Sequence, residues 1–265
     1  METRNRDIFR SGDRSPADSL RRFERAARWR FSVIQLTRKG VVFSGTQEDL
    51  ASLREKYERD NYVILPRLFE PALFEEILRR VEAAPFVPRD HDGIALEFCM
   101  ADKITAAMMD FFPNNPSFLR LVEQITGQPR LGEFNGRVYR MTSSDGHFDH
   151  WHNDCIDDRV VTMSVNLSRQ VYSGGALQIR GRSSKEILQE IYNTGFGDAL
   201  LFRISKELAH RVQAVIGEVP KTAFAGWFLQ REDLLPNLGK RMQATSRRLT
   251  NVEGGSPEPV LQKKV

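Results

Sequence analysis

The sequence predicts a mainly β fold with flanking helices, a sandwich or jelly-roll barrel, and three observations predict it. First, Arg159-Val-Val-Thr-Met-Ser-Val-Asn-Leu-Ser168 alternates with a period of two, putting Val161, Met163, Val165 and Leu167 on an apolar face and Thr162, Ser164 and Asn166 on a polar one. Second, short strand-like runs follow at regular intervals, over 176–179, 197–202, 210–215 and 222–229, with turns between them. Third, helical periodicity is confined to the N-terminal half, where it supplies supporting layers and no repeat.

The elements follow in chain order. Residues 1–45 are Arg-rich, contain Ser-Gly-Asp-Arg-Ser-Pro16, and read as a partly disordered N-terminal extension. Residues 46–130 read as a helical support region. Thr46 is an N-cap for a helix with Leu50, Leu53 and Tyr57 on one side. Tyr62-Val-Ile-Leu-Pro66 is a short strand, and Glu70-Pro71 opens a helix whose apolar face is Leu73, Phe74, Ile77, Leu78 and Val81. Two more helices near 100–112 and 117–126 stop at Pro113 and Gly127. The barrel core spans 131–231, with Gly174-Gly175 breaking one strand before Ala176-Leu-Gln-Ile179 resumes. Residues 232–265, with Gly254-Gly-Ser-Pro-Glu-Pro259, read as a flexible tail.

Charge is uneven. Residues 1–40 carry 11 Lys/Arg against 5 Asp/Glu, and 231–265 carry 7 against 4, which leaves 41–230 at net −5 within a total of +4. The basic balance is therefore a property of the ends. The core shows no basic stripe interleaved with stacking aromatics, so no specific nucleic-acid partner is expected. No window approaches the roughly 18 apolar residues a membrane span requires, and the first residues lack an apolar signal core, so no membrane partner is expected either. Cys99 and Cys155 alone make no disulfide framework, which suits a reducing, cytoplasmic setting.

Four of the five histidines carry the chemistry. His147, His150 and His152 crowd into Gly146-His-Phe-Asp-His-Trp-His-Asn-Asp154, and His210 follows Asp154 after 56 residues (210 − 154). In an extended segment residues i and i+2 project to one side, so His152 and Asp154 can meet one ion while Asn153 points away. A distant second histidine then completes a two-histidine, one-carboxylate face, the set that leaves open positions for a co-substrate and O2 on non-haem Fe(II). His147-Phe-Asp149 offers the same His-x-Asp spacing and is the competing assignment. The histidines left over are loop residues or substrate contacts.

Several motifs in fixed order resemble one family. Gly146–Asp154, Arg159, Val165-Asn-Leu-Ser168, Tyr172-Ser-Gly-Gly-Ala-Leu177, Gly197-Asp-Ala-Leu-Leu-Phe202 and His210-Arg-Val together look like the Fe(II)/2-oxoglutarate-dependent dioxygenases, in the prolyl-hydroxylase-like branch, over about 135–230. The entry Asn61-Tyr-Val-Ile-Leu-Pro66 resembles the N-terminal part of phytanoyl-CoA-hydroxylase-like and prolyl-hydroxylase-like members. The resemblance implies a double-stranded β-helix, a cupin-like jelly roll, buttressed by the N-terminal α-helices. It implies His152, Asp154 and His210 as iron ligands, with Fe(II), 2-oxoglutarate as co-substrate, O2, and ascorbate as reductant.

Where the family usually carries an Arg for the far carboxylate of 2-oxoglutarate, this chain has Lys221, a point charge without the planar fork of Arg. Asn166, where relatives often carry a Tyr, is expected as a second contact, with Thr162 and Ser164 on the same face. The implied reaction is hydroxylation of an unactivated C–H bond of a small, amino-acid-like or natural-product substrate, giving succinate and CO2. The two other readings are a prolyl-type hydroxylase acting on a peptide, and a non-catalytic β-barrel binding protein. Substrate contacts are expected in the 85–100 and 142–151 loops and near Arg180 and Arg182.

Overall fold

The computed structural model describes residues 33–156, 158–192 and 195–230. The described part opens on a hairpin of β1 (Ile34–Thr37) and β2 (Gly40–Phe43). Ile34 and Leu36 alternate with Gln35 and Thr37, and both apolar side chains are fully buried. These residues lie inside the stretch expected as a loose extension. The rest of that stretch, 1–32, and the tail 232–265 lie outside the described residues.

Four helices follow among the described residues. α1 (Gln47–Asp60) starts with a capping box: Thr46 Oγ1 accepts from the Asp49 amide, and Asp49 Oδ2 accepts from the Thr46 amide at 2.8 Å. It ends on Asn61 in the left-handed region (φ 63°). After β3 (Tyr62–Leu65), α2 (Pro71–Ala83) begins on its proline and buries Leu73, Ile77, Leu78 and Val81. α3 (Lys103–Phe111) is capped by Asp102, which accepts from the Ile104 and Thr105 amides. α4 (Pro116–Thr126) is capped by Asn115 and closed by Gly127 at φ 70°.

Region 46–130 is not helical alone. Between α2 and α3 lies an antiparallel hairpin of β4 (Phe86–Asp90) and β5 (Ala95–Met100), in place of the loop expected at 85–100. The barrel strands are β6 (Leu131–Met141), β7 (Phe148–Asp149), β8 (Arg159–Asn166), β9 (Ser173–Gly174), β10 (Leu177–Gly181), β11 (Ile187–Ile191), β12 (Ala199–Arg203), β13 (Leu208–Val212), β14 (Val215–Ile216) and β15 (Lys221–Gln230).

They form two antiparallel layers. The large sheet runs β3-β12-β8-β15-β6-β5-β4 with β7 beside β5, and opposite it stand β11-β10-β13 and the short pair β14-β9. This is the double-stranded β-helix. Its principal core lies between the helices and the outer face of the large sheet, where Val161, Met163 and Val165 of β8 meet Phe224 and Phe228 of β15 and Phe118 of α4. Phe134 packs on both Phe224 and Phe228, with ring centroids 5.4 and 4.9 Å apart, so truncating Phe228 would cost about 3–5 kcal/mol. A second cluster, Leu177, Ile179, Ile191, Leu200 and Phe202, fastens the small sheet to the large one. Because alternate residues point to opposite faces, filling the outer face with apolar side chains leaves the inner face of β8 and β15 to line a cavity.

Candidate functional site

The cavity between the two layers has a volume of about 650 Å³, within the range of pockets that take one small ligand. Thr162, Ser164 and Asn166 of β8 line it, as the period-two pattern predicts. So do Lys221, Ala223, Ala225 and Trp227, the alternate residues of β15. Ala223 and Ala225 stand between the β6 and β8 side chains, paired with Tyr139 and Asn166 in one row and with Arg137 and Ser164 in the next. Two methyl side chains in the middle of this floor leave it open.

One wall brings together the three residues His152, Asp154 and His210. Backbone pairing closes the gap in sequence. His152 and His210 form an antiparallel bridge, the His152 amide donating to the His210 carbonyl (3.0 Å) and the His210 amide to the His152 carbonyl (2.8 Å). Both imidazoles turn Nε2 toward Asp154, His210 at 3.2 Å from Oδ2 and His152 at 3.7 Å from Oδ1. The three ligand-type atoms lie within 4.8 Å of one another, a donor set suited to one divalent ion.

Surrounding groups fix their orientation, as the hydrogen-bond partners of metal ligands do. His152 Nδ1–H donates to the His150 carbonyl at 2.7 Å and sits 3.2 Å from Asp149 Oδ1, which leaves Nε2 for the cluster. Burial opposes a charge on this ring, yet the Asp149 carboxylate and the His150 carbonyl raise its pKa to about 9. Burial also opposes ionisation of Asp154. The bond and charge of His210, the charge of His152 and a 2.7 Å hydrogen bond from Trp227 Nε1–H outweigh it and hold the carboxyl well below the usual range.

The competing pair is used otherwise. His147 Nδ1 accepts from the Thr142 amide at 2.9 Å and the ring stands edge-on to Phe98, while Asp149 Oδ2 accepts from the Val212 amide at 2.7 Å. His147 and Asp149 belong to no cluster of potential metal ligands among the described residues.

Lys221 is buried in the large sheet opposite Met141, and burial pushes its pKa down to about 8, partly offset by Asp149 and Glu97. Of its three donors, one goes to the Gly175 carbonyl at 2.7 Å. Gly175 sits at φ 63°, and a Cβ there would lie 3.0 Å from Tyr172 and 3.1 Å from the lysine stem. Thr162 Oγ1 is buried without a hydrogen-bond partner among the described residues. A buried cation with donors to spare fits one carboxylate of an anionic ligand such as 2-oxoglutarate, while Thr162, paired with Trp227, lies six residues along β15 from Lys221 at the other end of the floor. Asn166 is less available: its Nδ2 donates to the Gly195 carbonyl and its Oδ1 accepts from the Ser168 amide.

Three cavity residues escape sequence reasoning. Trp227 has a signal, since it shares the parity of Lys221 on β15. Glu97 and Arg137 have none: they are an ion pair 40 positions apart, 2.6 Å between Arg137 Nε and Glu97 Oε1.

Comparison with known proteins agrees with this architecture. Residues 136–229 match the model of the 2OG-Fe(II) oxygenase superfamily. No curated protein sequence matches the chain. Among solved structures, a prolyl-4-hydroxylase from Pseudomonas putida superposes with TM-score 0.51 at 18% identity, covering 69% of this chain and all of that one. A prolyl hydroxylase from Trichoplax adhaerens, in complex with a hypoxia inducible factor oxygen degradation domain peptide fragment, gives TM-score 0.56 at 16% identity over 69% of this chain and 90% of that one. The epimerase SnoN, in complex with Fe3+, α-ketoglutarate and nogalamycin RO, gives 0.52 at 15% identity over 70% and 85%. At these identities the superpositions show a shared fold. The family match over residues 136–229 and the His-Asp-His cluster inside that barrel support an Fe(II)- and 2-oxoglutarate-dependent dioxygenase, on the fold it shares with these prolyl hydroxylases.

Proposed function

We propose that the protein hydroxylates a C–H bond of a small, amino-acid-like or natural-product molecule, and that His152, Asp154 and His210 hold its iron. The cavity is the observation that carries this reading. A space of about 650 Å³ with the His-Asp-His cluster on one wall and Lys221 in its large-sheet face accommodates a co-substrate and one compact substrate side by side.

When bound, Fe(II) and 2-oxoglutarate supply O2 activation and the decarboxylation to succinate and CO2 that drives substrate oxidation. The residues supply placement. Asp149 and the His150 carbonyl fix the tautomer of His152, and Trp227 fixes the Asp154 carboxylate. Lys221 holds the far carboxylate of the co-substrate. Ala223 and Ala225 keep the floor clear, and β4–β5 walls the cavity on the side where Arg89, His91 and Glu97 line it.

The test is conversion of 2-oxoglutarate to succinate by the Fe(II)-loaded chain with ascorbate, screened over small molecules and over proline-containing peptides. Stimulation by small molecules supports the reading. Stimulation by peptides alone replaces it with the peptidyl hydroxylase, and absence of any 2-oxoglutarate binding replaces it with a binding protein.

A further inference from the structure

Arg137 of β6 lies on the cavity wall, one row along the sheet from Tyr139 and two rows from Lys221. Its Nε–H donates to Glu97 Oε1, and the same oxygen takes His91 Nε2 at 2.9 Å and Cys99 Sγ at 3.5 Å. His91, Glu97 and Cys99 have the composition of a metal site. The guanidinium already on that oxygen argues against one, because a divalent cation would have to displace a positive charge 2.6 Å away. The node is better understood as a clamp on Arg137.

A clamped arginine has one edge left. The planar guanidinium carries five donors, and Arg137 uses Nε alone: Nη1 and Nη2 make no hydrogen bond or ion pair among the described residues. Its plane is steadied by two rings, Tyr139 at 5.7 Å and Trp227 at 5.4 Å from Cζ. The side chain keeps a quarter of its surface exposed while Glu97 keeps a twentieth, so the buried side faces its partner and the open end faces the cavity. Trp227 also donates to Asp154, so the free edge of Arg137 and the His-Asp-His cluster flank one indole.

We propose that this free Nη1/Nη2 edge is the recognition element for the primary substrate, and that the substrate carries a carboxylate that docks there end-on. The inference rests on the oxygenase reading and adds to it the chemical class of the molecule oxidised. Two parallel N–H donors match the two oxygens of a carboxylate, and an arginine fixed by packing and by an ion pair loses little freedom when it binds. Arg137 is distinct from Lys221: one end of the cavity floor would hold the co-substrate, the other the substrate. A purely structural role, tying β5 to β6, is the alternative.

The test uses the full chain loaded with Fe(II), a panel of N-acetyl-L-amino acids, and the C-terminal carboxamide of each, read as succinate formed above the substrate-free background. In the wild-type chain at least one acid should exceed its amide in kcat/KM by roughly 10- to 100-fold, the worth of a hydrogen-bonded charge. R137K should retain part of this preference, since it keeps the charge and loses the fork. The double variant R137Q/E97Q, which leaves no orphaned charge, should abolish it. Equal use of acids and amides by the wild-type chain, including use of neither, overturns the proposal whether or not the variants fold. So does an acid preference that survives in R137Q/E97Q, or one wholly lost in R137K. Calorimetric binding of 2-oxoglutarate to the wild-type chain with Mn(II) separates the two levels: without it, the oxygenase reading itself fails.

Discussion

Replacing Lys221 by Met removes the buried cation while keeping most of its stem. Lys221 has no carboxylate within ion-pairing distance among the described residues, and its one bond goes to the Gly175 carbonyl. Burial lowers its pKa from 10.5 to about 8, so the folded state bears a penalty of about 3 kcal/mol for keeping it charged. The unfolded chain holds the proton to the higher pKa. The penalty is therefore full below about pH 8 and fades between about 8 and 10.5. Losing the Gly175 bond costs about 1 kcal/mol, so the metal-free Lys221→Met variant should be more stable than wild type at pH 7 by roughly 1–2 kcal/mol by the same accounting, with the gain vanishing near pH 10. Binding should move the opposite way. Without the charge-assisted contact to the co-substrate, its dissociation constant should rise by a factor of roughly 10–150. Urea unfolding at the two pH values and calorimetric titration of the Mn(II)-loaded chain with 2-oxoglutarate read both effects. A variant that gains stability but binds 2-oxoglutarate as wild type does would refute the anchor and move it to Arg159, the other candidate cation lining the cavity, since Arg211 turns away from it.

Three further outcomes follow from the same geometry. In the wild-type chain 2-oxoglutarate affinity should be flat below about pH 8 and weaken by about tenfold per unit above it as Lys221 deprotonates; titrations from pH 6.5 to 9.5 should show that break, and Lys221→Met should lack it. Trp227→Phe keeps the ring under Arg159 but removes the 2.7 Å bond to Asp154, so Mn(II) affinity should fall about 10- to 100-fold, and an unchanged affinity would show that the indole does not orient the carboxylate. A chain beginning at residue 46 discards the buried Ile34 and Leu36 and should lose about 3–6 kcal/mol against one beginning at residue 33, measured by urea midpoint. Equal midpoints would mean the hairpin only decorates the core.

What was legible in the sequence is what a single period or cap encodes. The face Thr162/Ser164/Asn166 follows from alternation, and the start of α1 follows from Thr46 as an N-cap. β4 was hidden because Phe-Val-Pro-Arg-Asp is a largely exposed edge strand with a central proline, and neither alternation nor burial marks it. β11 at the edge of the small sheet is mostly exposed too. The β1–β2 hairpin did carry a signal, Ile34 and Leu36 two apart, but the Arg-rich composition before it suggested a loose end. Within the site, the proposed ligand set and the lysine lie on recognisable motifs. The pairing of Asn166 with Gly195 and Ser168, and the clamp of Arg137 by Glu97, arise only when distant strands are brought side by side, and no local pattern encodes them.

The central claim is that His152, Asp154 and His210 hold one metal ion. Anomalous diffraction from crystals of the Mn(II)-loaded chain tests it most directly. The expected result is one peak at about 2.0–2.2 Å from an imidazole nitrogen of His152, an imidazole nitrogen of His210 and a carboxylate oxygen of Asp154, distances ordinary for such donors. A peak on His147 and Asp149, or on His91, Glu97 and Cys99, would contradict it.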